Sequence, residues 1–410
     1  MRVLLVGSGG REHALAQAIS RSPKLTALFA APGNPGMKDI AQCVAIKADD
    51  IAGLVDFARK EKIDLVVPGP EVSLVAGLAD QCEAAGIACA GPSRAAAQLE
   101  GSKAFTKEIA DAASIPTARW QRFETSKEEA LAYVRQHGAP IVIKADGLAA
   151  GKGVVVAQSV EEAEEAIEKL SLPLVIEECL FGREVSLFAF CSGEEAVLIG
   201  AARDHKRAYD GDKGPNTGGM GAICPPPDFD HEAQEKALDL TVRPMLAEMV
   251  RRGTPFKGVI FAGLMLTEDG PKLIEYNVRF GDPEAQALLI RLESDLLPAL
   301  DELAHGRLSQ DSVTFSDQPS LSLVLAARGY PDKPVTGGVI TGLENAEAQP
   351  GVYVFHAGTI LQGGQLVAAG GRVLTICAKA KTPEKARSRA YEAAASIQWA
   401  DKMLRSDIGL

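Results

Sequence analysis

The sequence predicts a multidomain protein combining α/β and α+β units, and three observations carry that expectation. Through residues 1–100, short continuous apolar runs alternate with helix-patterned segments, which indicates a parallel sheet covered on both faces. From about 117 to 300 the pattern changes to strand pairs and hairpins around one polar, glycine-rich stretch. After the acidic connector "LSQDSVTFSDQPS" (308–320), strand patterns come first and a helix follows. The expected division is a parallel α/β domain at 1–101, a central domain at 102–320 with a mobile subdomain at about 117–190, and a small mixed domain at 321–410. At about 100–200 residues per domain, 410 residues allow two to four such units.

The first domain reads as strand "RVLLVG", helix "GREHALAQAIS", strand "LTALFAAP", helix "DIAGLVDFARKEK", strand "IDLVVPGP", helix "VSLVAGLADQCEAAG" and strand "IACAGPS". Residues 94–113 read as one helix, closed by Pro116. A strand pair, "APIVIKADGLAAGKGVVVA", then precedes the charged helix "SVEEAEEAIEKL" and the strand "PLVIEECL". A hairpin, "GVIFAGLMLTEDGPKLIEYNV", turns at Asp269-Gly270.

Composition excludes several classes. With 43 Lys and Arg against 54 Asp and Glu, the net charge is −11, and no basic stripe marks a nucleic-acid partner. The seven cysteines are scattered without a C-x-x-C pair, so they read as reduced cytoplasmic thiols rather than disulfides or a zinc site. No apolar run approaches the roughly 18 residues of a membrane span, and the N-terminal run Val3–Val6 is too short for a signal peptide.

Five polar stretches carry chemistry. "GSGGREHA" (7–14) joins a strand to a helix, but Glu12 stands where a dinucleotide fingerprint has its third glycine. The second strand also ends in "AAPGN", without a ribose-holding acid. A nicotinamide-dependent oxidoreductase is therefore disfavoured. What remains is either a structural turn or a helix N-terminus holding an anion, with Arg11 adding a cation. "KADGLAAGKG" (144–153) is not a Walker A loop, because three residues separate Gly147 from Gly151 and Gly153 follows Lys152. It can still fold over a polyphosphate, with Lys144 at its base and Lys152 at its end.

"VIEECLFGREVS" (175–186) offers backbone donors and acceptors for a purine edge, with Glu184 placed to accept a ribose hydroxyl. "RDHKRAYDGDKGPNTGGMGA" (203–222) reads as a structureless loop, and loops of that length are usually functional. Its cations and free N–H groups suit an anionic substrate, while His205, alone among cations, is not read as a metal ligand. Finally, "IEYNVRFGDPE" (274–284) aligns Ile274, Tyr276 and Val278 on one strand face and Glu275 and Asn277 on the other. Two oxygen ligands at that spacing suit magnesium, which uses few protein carboxylates and keeps waters and phosphates.

Together these stretches resemble the ATP-grasp superfamily. Within it, "GSGGREHAL", "GPSRAAAQLEGSKAFTKE", "KADGLAAGKGV", "RDHKRAYDGDKGPNTGGMGA", "EYNVRFGDPE" and "FHAGT…GGRVL" are similar to the phosphoribosylamine–glycine ligase (glycinamide ribonucleotide synthetase) family. The resemblance implies a Rossmann-like pre-ATP-grasp domain, an ATP-grasp domain and a C-terminal domain. It implies ATP-dependent joining of glycine to 5-phosphoribosylamine through a glycyl phosphate, giving glycinamide ribonucleotide, ADP and phosphate in purine biosynthesis. Magnesium or manganese is the implied cofactor, and contact with the enzyme supplying the amine is an implied partnership.

The resemblance also assigns residues. Lys103, Lys144, Gly151, Lys152, Glu177, Leu180 and Glu184 would bind ATP, with Glu177 and Leu180 meeting adenine through their backbone. Gly9, Gly10, Arg11, Glu71, Asp204, Lys206, Asp212, Asn216, Gly218, Gly219 and Arg279 would bind substrate. Arg279 and Lys144 would act catalytically, and Glu275 and Asn277 would hold the metal. Arg203 stands where the family commonly has glutamine, and the first hairpin strand "GVIFAGLMLT" offers no acid where many ATP-grasp enzymes place one. Two rivals are a bicarbonate-dependent carboxylase-type ligase and a non-catalytic nucleotide sensor.

Overall fold

The computed structural model describes residues 1–148, 153–310 and 312–410. Its first unit is a five-stranded parallel sheet in the order Gln42–Cys43, Ala27–Pro32, Arg2–Gly7, Leu65–Pro68, Ala88–Cys89. Alternation in the central strand explains why both faces are apolar. Val3 and Leu5 pack with Leu15 and Ile19 on one side, while Leu4 and Val6 pack with Leu54 and Leu78 on the other. All four are fully buried, each contributing about 1.5–3 kcal/mol relative to exposure.

Two expected helices are divided. Residues 72–86 break between Glu71–Val75 and Leu78–Ala84, because Gly77 adopts φ +92°, a left-handed conformation other residues rarely take. Residues 94–113 break between Gln98–Gly101 and Lys103–Ala112. There Ser102 is extended and its Oγ accepts the Phe105 N–H at 3.1 Å, so it caps the second helix.

A four-stranded antiparallel sheet comes next, in the order Trp120–Phe123, Leu174–Glu178, Ile141–Ala145, Val154–Ala157. Helices Lys127–His137 and Val160–Lys169, capped by Ser126 and Ser159, cover it. Its core of Phe123, Val134, Ile143, Ile167 and Ile176 is separate from the others.

Most of the remaining strands form a large antiparallel sheet, in the order Gly270–Asn277, Lys257–Thr267, Arg183–Ser192, Glu195–Asp204, Gly221–Cys224, Ser320–Ala327, Arg372–Lys379, Val352–His356, with Lys402–Met403 also paired to Ser320–Ala327. Gly221–Cys224 pairs with Ser320–Ala327, so the sheet continues unbroken into the C-terminal unit. The stretch 203–222 is not structureless, as its composition suggested. It enters on Glu195–Asp204, folds into a ribbon of Arg207–Tyr209 against Lys213–Asn216, and leaves on Gly221–Cys224.

The hairpin strand Gly270–Asn277 also differs from simple alternation. Gly263 faces Glu275 and Leu264 faces Leu273, which makes Ile274 the extra residue of a bulge. Leu273, Tyr276 and Val278 therefore share the core, and Ile274 does not join them. Among the described residues no helix is long and apolar enough to cross a membrane.

His13 and His356 join the first unit to the last. His13 Nδ1 accepts the His356 N–H at 2.9 Å, and the His13 ring meets Phe355 edge-on. Asn34 Nδ2 bridges the His356 and Ser8 carbonyls at 2.8 Å each. Burial, then the neighbouring ring, lowers the His13 pKa to about 3; burial, then Lys38, lowers that of His356 to about 4.

Candidate active site

In the parallel sheet the strand order reverses between Arg2–Gly7 and Leu65–Pro68, and ligands of open parallel sheets bind beyond the carboxyl ends of strands at such a point. Gly9, Gly10, Arg11 and Glu71 all lie there. Arg11, however, is not a free cation. Its Nε donates to Glu12 at 2.6 Å and its Nη1 to the Phe280 carbonyl at 2.9 Å. Two N–H groups of the turn are also occupied: Gly9 donates to Glu12 at 2.6 Å and Arg11 to Asp282 at 3.1 Å. Glu12 explains the unusual fingerprint, because a Cβ on Gly7 or Gly69 would lie within 2.5 Å of its side chain. The glycines make room for a carboxylate where a dinucleotide site would have none.

Glu71 faces Arg279, 3.2 Å away. Burial acts against its ionisation, but Arg279 and Arg11 outweigh that and hold its pKa below the usual range. Arg279 also reaches Glu100 at 2.7 Å, Asn277 Oδ1 at 3.0 Å and the Phe280 carbonyl at 3.1 Å. The guanidinium is thus fixed on several sides.

On the small sheet, Lys144 lies buried with its Nζ 2.8 Å from the Glu177 carboxylate, whose other oxygen is 3.0 Å from Lys107 Nζ. Burial opposes charge on Glu177, yet the two lysines lower its pKa. Glu177 stands inside the sheet between Trp120 and Val142, so its side chain, rather than a free backbone edge, is what reaches the site. Free chain begins only after Glu178, at Cys179 and Leu180. Lys103 donates to the Gly147 carbonyl at 2.8 Å, and Asp146 accepts the Lys103 N–H at 2.6 Å. Gly151 and Lys152 lie outside the described residues.

Glu275 is different. Burial acts against its charge, but Lys206, Lys144, Lys103 and Arg279 together lower its pKa. Each of those cations has its direct partner elsewhere: Lys206 on Glu184 at 2.6 Å, Lys144 on Glu177, Lys103 on Gly147, and Arg279 on Glu71 and Glu100. Opposite it, Gly263 carries no side chain, and a Cβ there would sit 3.3 Å from Glu275 Cγ. Among the described residues Asn277 Nδ2, buried, has no partner. The strand therefore presents a carboxylate bonded to no other group among those residues, beside an amide whose Nδ2 donor is open and whose Oδ1 already accepts from Arg279.

The ribbon residues scatter. Lys206 pairs with Glu184, placing both near Glu275 in the field just described. Burial, with Glu284 and Glu184 adding to it against Lys206, raises the half-buried Asp204 to about 7. Gly218 and Gly219 sit beside Arg372 and Pro283. Asn216 lies in the ribbon opposite Arg207, and Asp212 is held by Arg405 at 2.7 Å rather than by any other candidate residue. Arg203 pairs with Asp228 and donates to the Glu184 carbonyl.

Glu12, Glu100, Lys107, Asp146 and Glu284 complete the site and were not read from the sequence as site residues, whereas Asp282 continues the polar row after Arg279. Lys107 had one signal, its spacing four residues after Lys103 on a helix. Glu100, Asp146 and Glu284 had none, because their partners lie far along the chain, whereas Glu12 pairs with the adjacent Arg11.

A lysine-bearing four-stranded cover, facing an antiparallel sheet with an open E-x-N pair, defines an ATP-grasp protein. Residues 1–100, 101–285 and 320–410 match the phosphoribosylglycinamide synthetase N domain, ATP-grasp (A) domain and C domain. The chain is 52% identical to a phosphoribosylamine–glycine ligase of Brucella melitensis over 100% of its own length and 97% of that protein. It is 47% identical to one of Xanthomonas campestris pv. campestris over 100% and 97%. Among solved structures, a phosphoribosylamine–glycine ligase from Thermotoga maritima superposes with a TM-score of 0.85 at 33% identity, covering 100% of both chains. The biotin carboxylase domain of a Hydrogenobacter thermophilus carboxylase shares the fold alone, with a TM-score of 0.74 at 19% identity over 98% and 91% of the two chains. The chain belongs to the phosphoribosylglycinamide synthetase family.

Proposed function

We propose that this chain joins glycine to 5-phosphoribosylamine with cleavage of ATP, giving glycinamide ribonucleotide, ADP and phosphate, in the cytoplasm. The observation that carries the reading is Glu275, a carboxylate among four cations that are each paired elsewhere. The glycine carboxylate takes the γ-phosphoryl group and ADP leaves. The amine then attacks the acyl carbon, the C–O bond to phosphate breaks, and the nitrogen loses a proton. No protein nucleophile is required, so positioning and charge neutralisation do the work.

Lys103 and Lys144 hold nucleotide phosphates, the free backbone at Cys179 and Leu180 meets adenine, and Glu184 meets the ribose. The switch-point turn and the 203–222 ribbon receive the sugar amine. Arg279, locked by Glu71 and Glu100, holds a fixed positive charge near the acyl oxygens. Glu275 and the remaining lone pair of Asn277 Oδ1, whose other acceptor site takes an Arg279 N–H, would hold magnesium or manganese. Among the described residues no three His, Cys, Asp or Glu side chains converge, and a hard cation that shares phosphates needs only such a pair. When bound, the ion supplies charge neutralisation and polarises phosphoryl oxygens. The four-stranded unit at 120–178, shorter than the expected 117–190 because Arg183–Ser192 belongs to the large sheet, is the cover that excludes water, and the short-lived amine favours direct handover from the enzyme that makes it.

ADP release measured with ATP, magnesium, phosphoribosylamine and each amino acid in turn tests the assignment. Glycine alone is expected to support turnover; bicarbonate-dependent, glycine-independent release would indicate a carboxylase instead.

A further inference from the structure

The ribbon at 207–216 has only two short strands, and such a pair is marginal by itself in water. Something must hold it, and the holding groups come from chain beyond residue 320. At the tip, the Ser406 N–H donates to Asp210 Oδ1 at 2.8 Å, with the Ser406 hydroxyl on the same carboxylate. The Gly211 N–H donates to Asp407 Oδ2 at 2.7 Å. Arg405, 2% exposed, donates to Asp212 at 2.7 Å and to the Arg207 carbonyl at 3.1 Å, and its other edge grips Asp407 through two 2.7 Å bonds.

At the root, both polar backbone groups of Gly218 are taken. Its N–H donates to Tyr330 Oη at 2.9 Å, and its carbonyl accepts from Arg372 Nη1 at 2.6 Å. The same nitrogen donates to the Asp282 carbonyl at 2.6 Å. Asp282 in turn accepts the Arg11 N–H and a bond from Gln286 Nε2 at 2.9 Å. One arginine thus ties the ribbon root to the switch-point turn through a single intermediate residue.

We infer that Tyr330, Arg372 and the Arg405–Asp407 segment are positioning residues for the ligase reaction, clasping the ribbon at tip and root so that it receives the anionic sugar amine. Their side chains meet the ribbon and Asp282, not the Lys144–Glu177 pair, so the nucleotide side of the site is built without them. This role rests on the function proposed above. The C-terminal unit thereby holds the substrate-facing ribbon at a fixed height over the site.

Full-length Tyr330→Phe, Arg372→Lys and Asp407→Asn, compared with wild type, test it by steady-state kinetics with each substrate varied and by hydrogen exchange. Each variant is expected to raise the KM for phosphoribosylamine roughly tenfold, because small misplacement of a binding element is costly. The KM for ATP should stay unchanged, and faster exchange should be confined to residues 207–219. Tyr330→Phe removes one hydroxyl only and keeps the test available if Asp407→Asn misfolds. Unchanged KM values, or equal rises for ATP and the amine, would overturn the clasp while leaving the ligase assignment standing. A wild-type chain without phosphoribosylamine-dependent turnover would instead overturn the activity, and this role with it.

Discussion

Glu177 and Glu275 are both surrounded by lysines, and they behave oppositely. Glu177 is clamped between Lys144 and Lys107 at 2.8 and 3.0 Å, so its charge is satisfied within the fold. Glu275 feels four cations, but each is bonded to something else. A buried carboxylate with direct partners is part of the architecture. One that is attracted to cations yet, among the described residues, bonded to none is reserved for a ligand. The difference separates the residues that build this site from those that use it.

Replacing each carboxylate should break the comparison in a different way. Glu275→Gln keeps the shape and removes the charge. Turnover should fall by about 10²–10³-fold, the usual cost of losing one preorganised electrostatic contact, with thermal stability lowered modestly, because the surrounding cations favour the charged form in the folded state. ADP release and a melting curve on the same preparation check both halves, and wild-type turnover would contradict the assignment. Glu177→Ala strands two buried lysines. It should destabilise the unit around the small sheet by about 3–5 kcal/mol, read as an earlier urea transition or premature proteolysis within 120–178.

A smaller effect is expected at the His13–His356 contact. Both rings are held neutral, with pKa values of about 3 and 4 against 6.5 in the unfolded chain. The unfolded state therefore binds more protons as pH falls, so stability is full above pH 6.5 and is lost progressively as acid approaches the folded values. The slope is at most about 1.4 kcal/mol per pH unit for each histidine. Urea unfolding at pH 7, 6 and 5 should show it, and His13→Asn, which retains an acceptor for the His356 N–H, should flatten it. Equal slopes in the two proteins would refute this reading of the contact.

Much of the parallel sheet was legible in the sequence because each central strand is buried on both faces and reads as an unbroken apolar run. The divided helices were not. Gly77 sits among helix formers, and only its tertiary setting demands φ +92°. The ribbon was hidden by its composition, since polar and glycine residues signal loop unless distant groups such as Arg405 hold them. In the site, Lys144, Glu275 and Asn277 could be singled out because a strand end and strand alternation exposed them as costly polar residues, whereas Lys103, at the start of a helix, came only with the family resemblance. Arg279 could be named but not its restraint. Glu100 lies 179 residues away in sequence, and Glu71 208, so no local pattern joins them. For Arg11, the sequence suggested a free cation, whereas the adjacent Glu12 neutralises it.

The central claim is that Glu275 and its neighbours activate a small carboxylate by phosphorylation before the amine attacks. Glycine labelled with oxygen-18 in its carboxyl group tests this directly. The phosphate released during turnover is predicted to carry one labelled oxygen, transferred when the acyl phosphate breaks. Phosphate free of label, from a reaction that still forms product, would contradict the account.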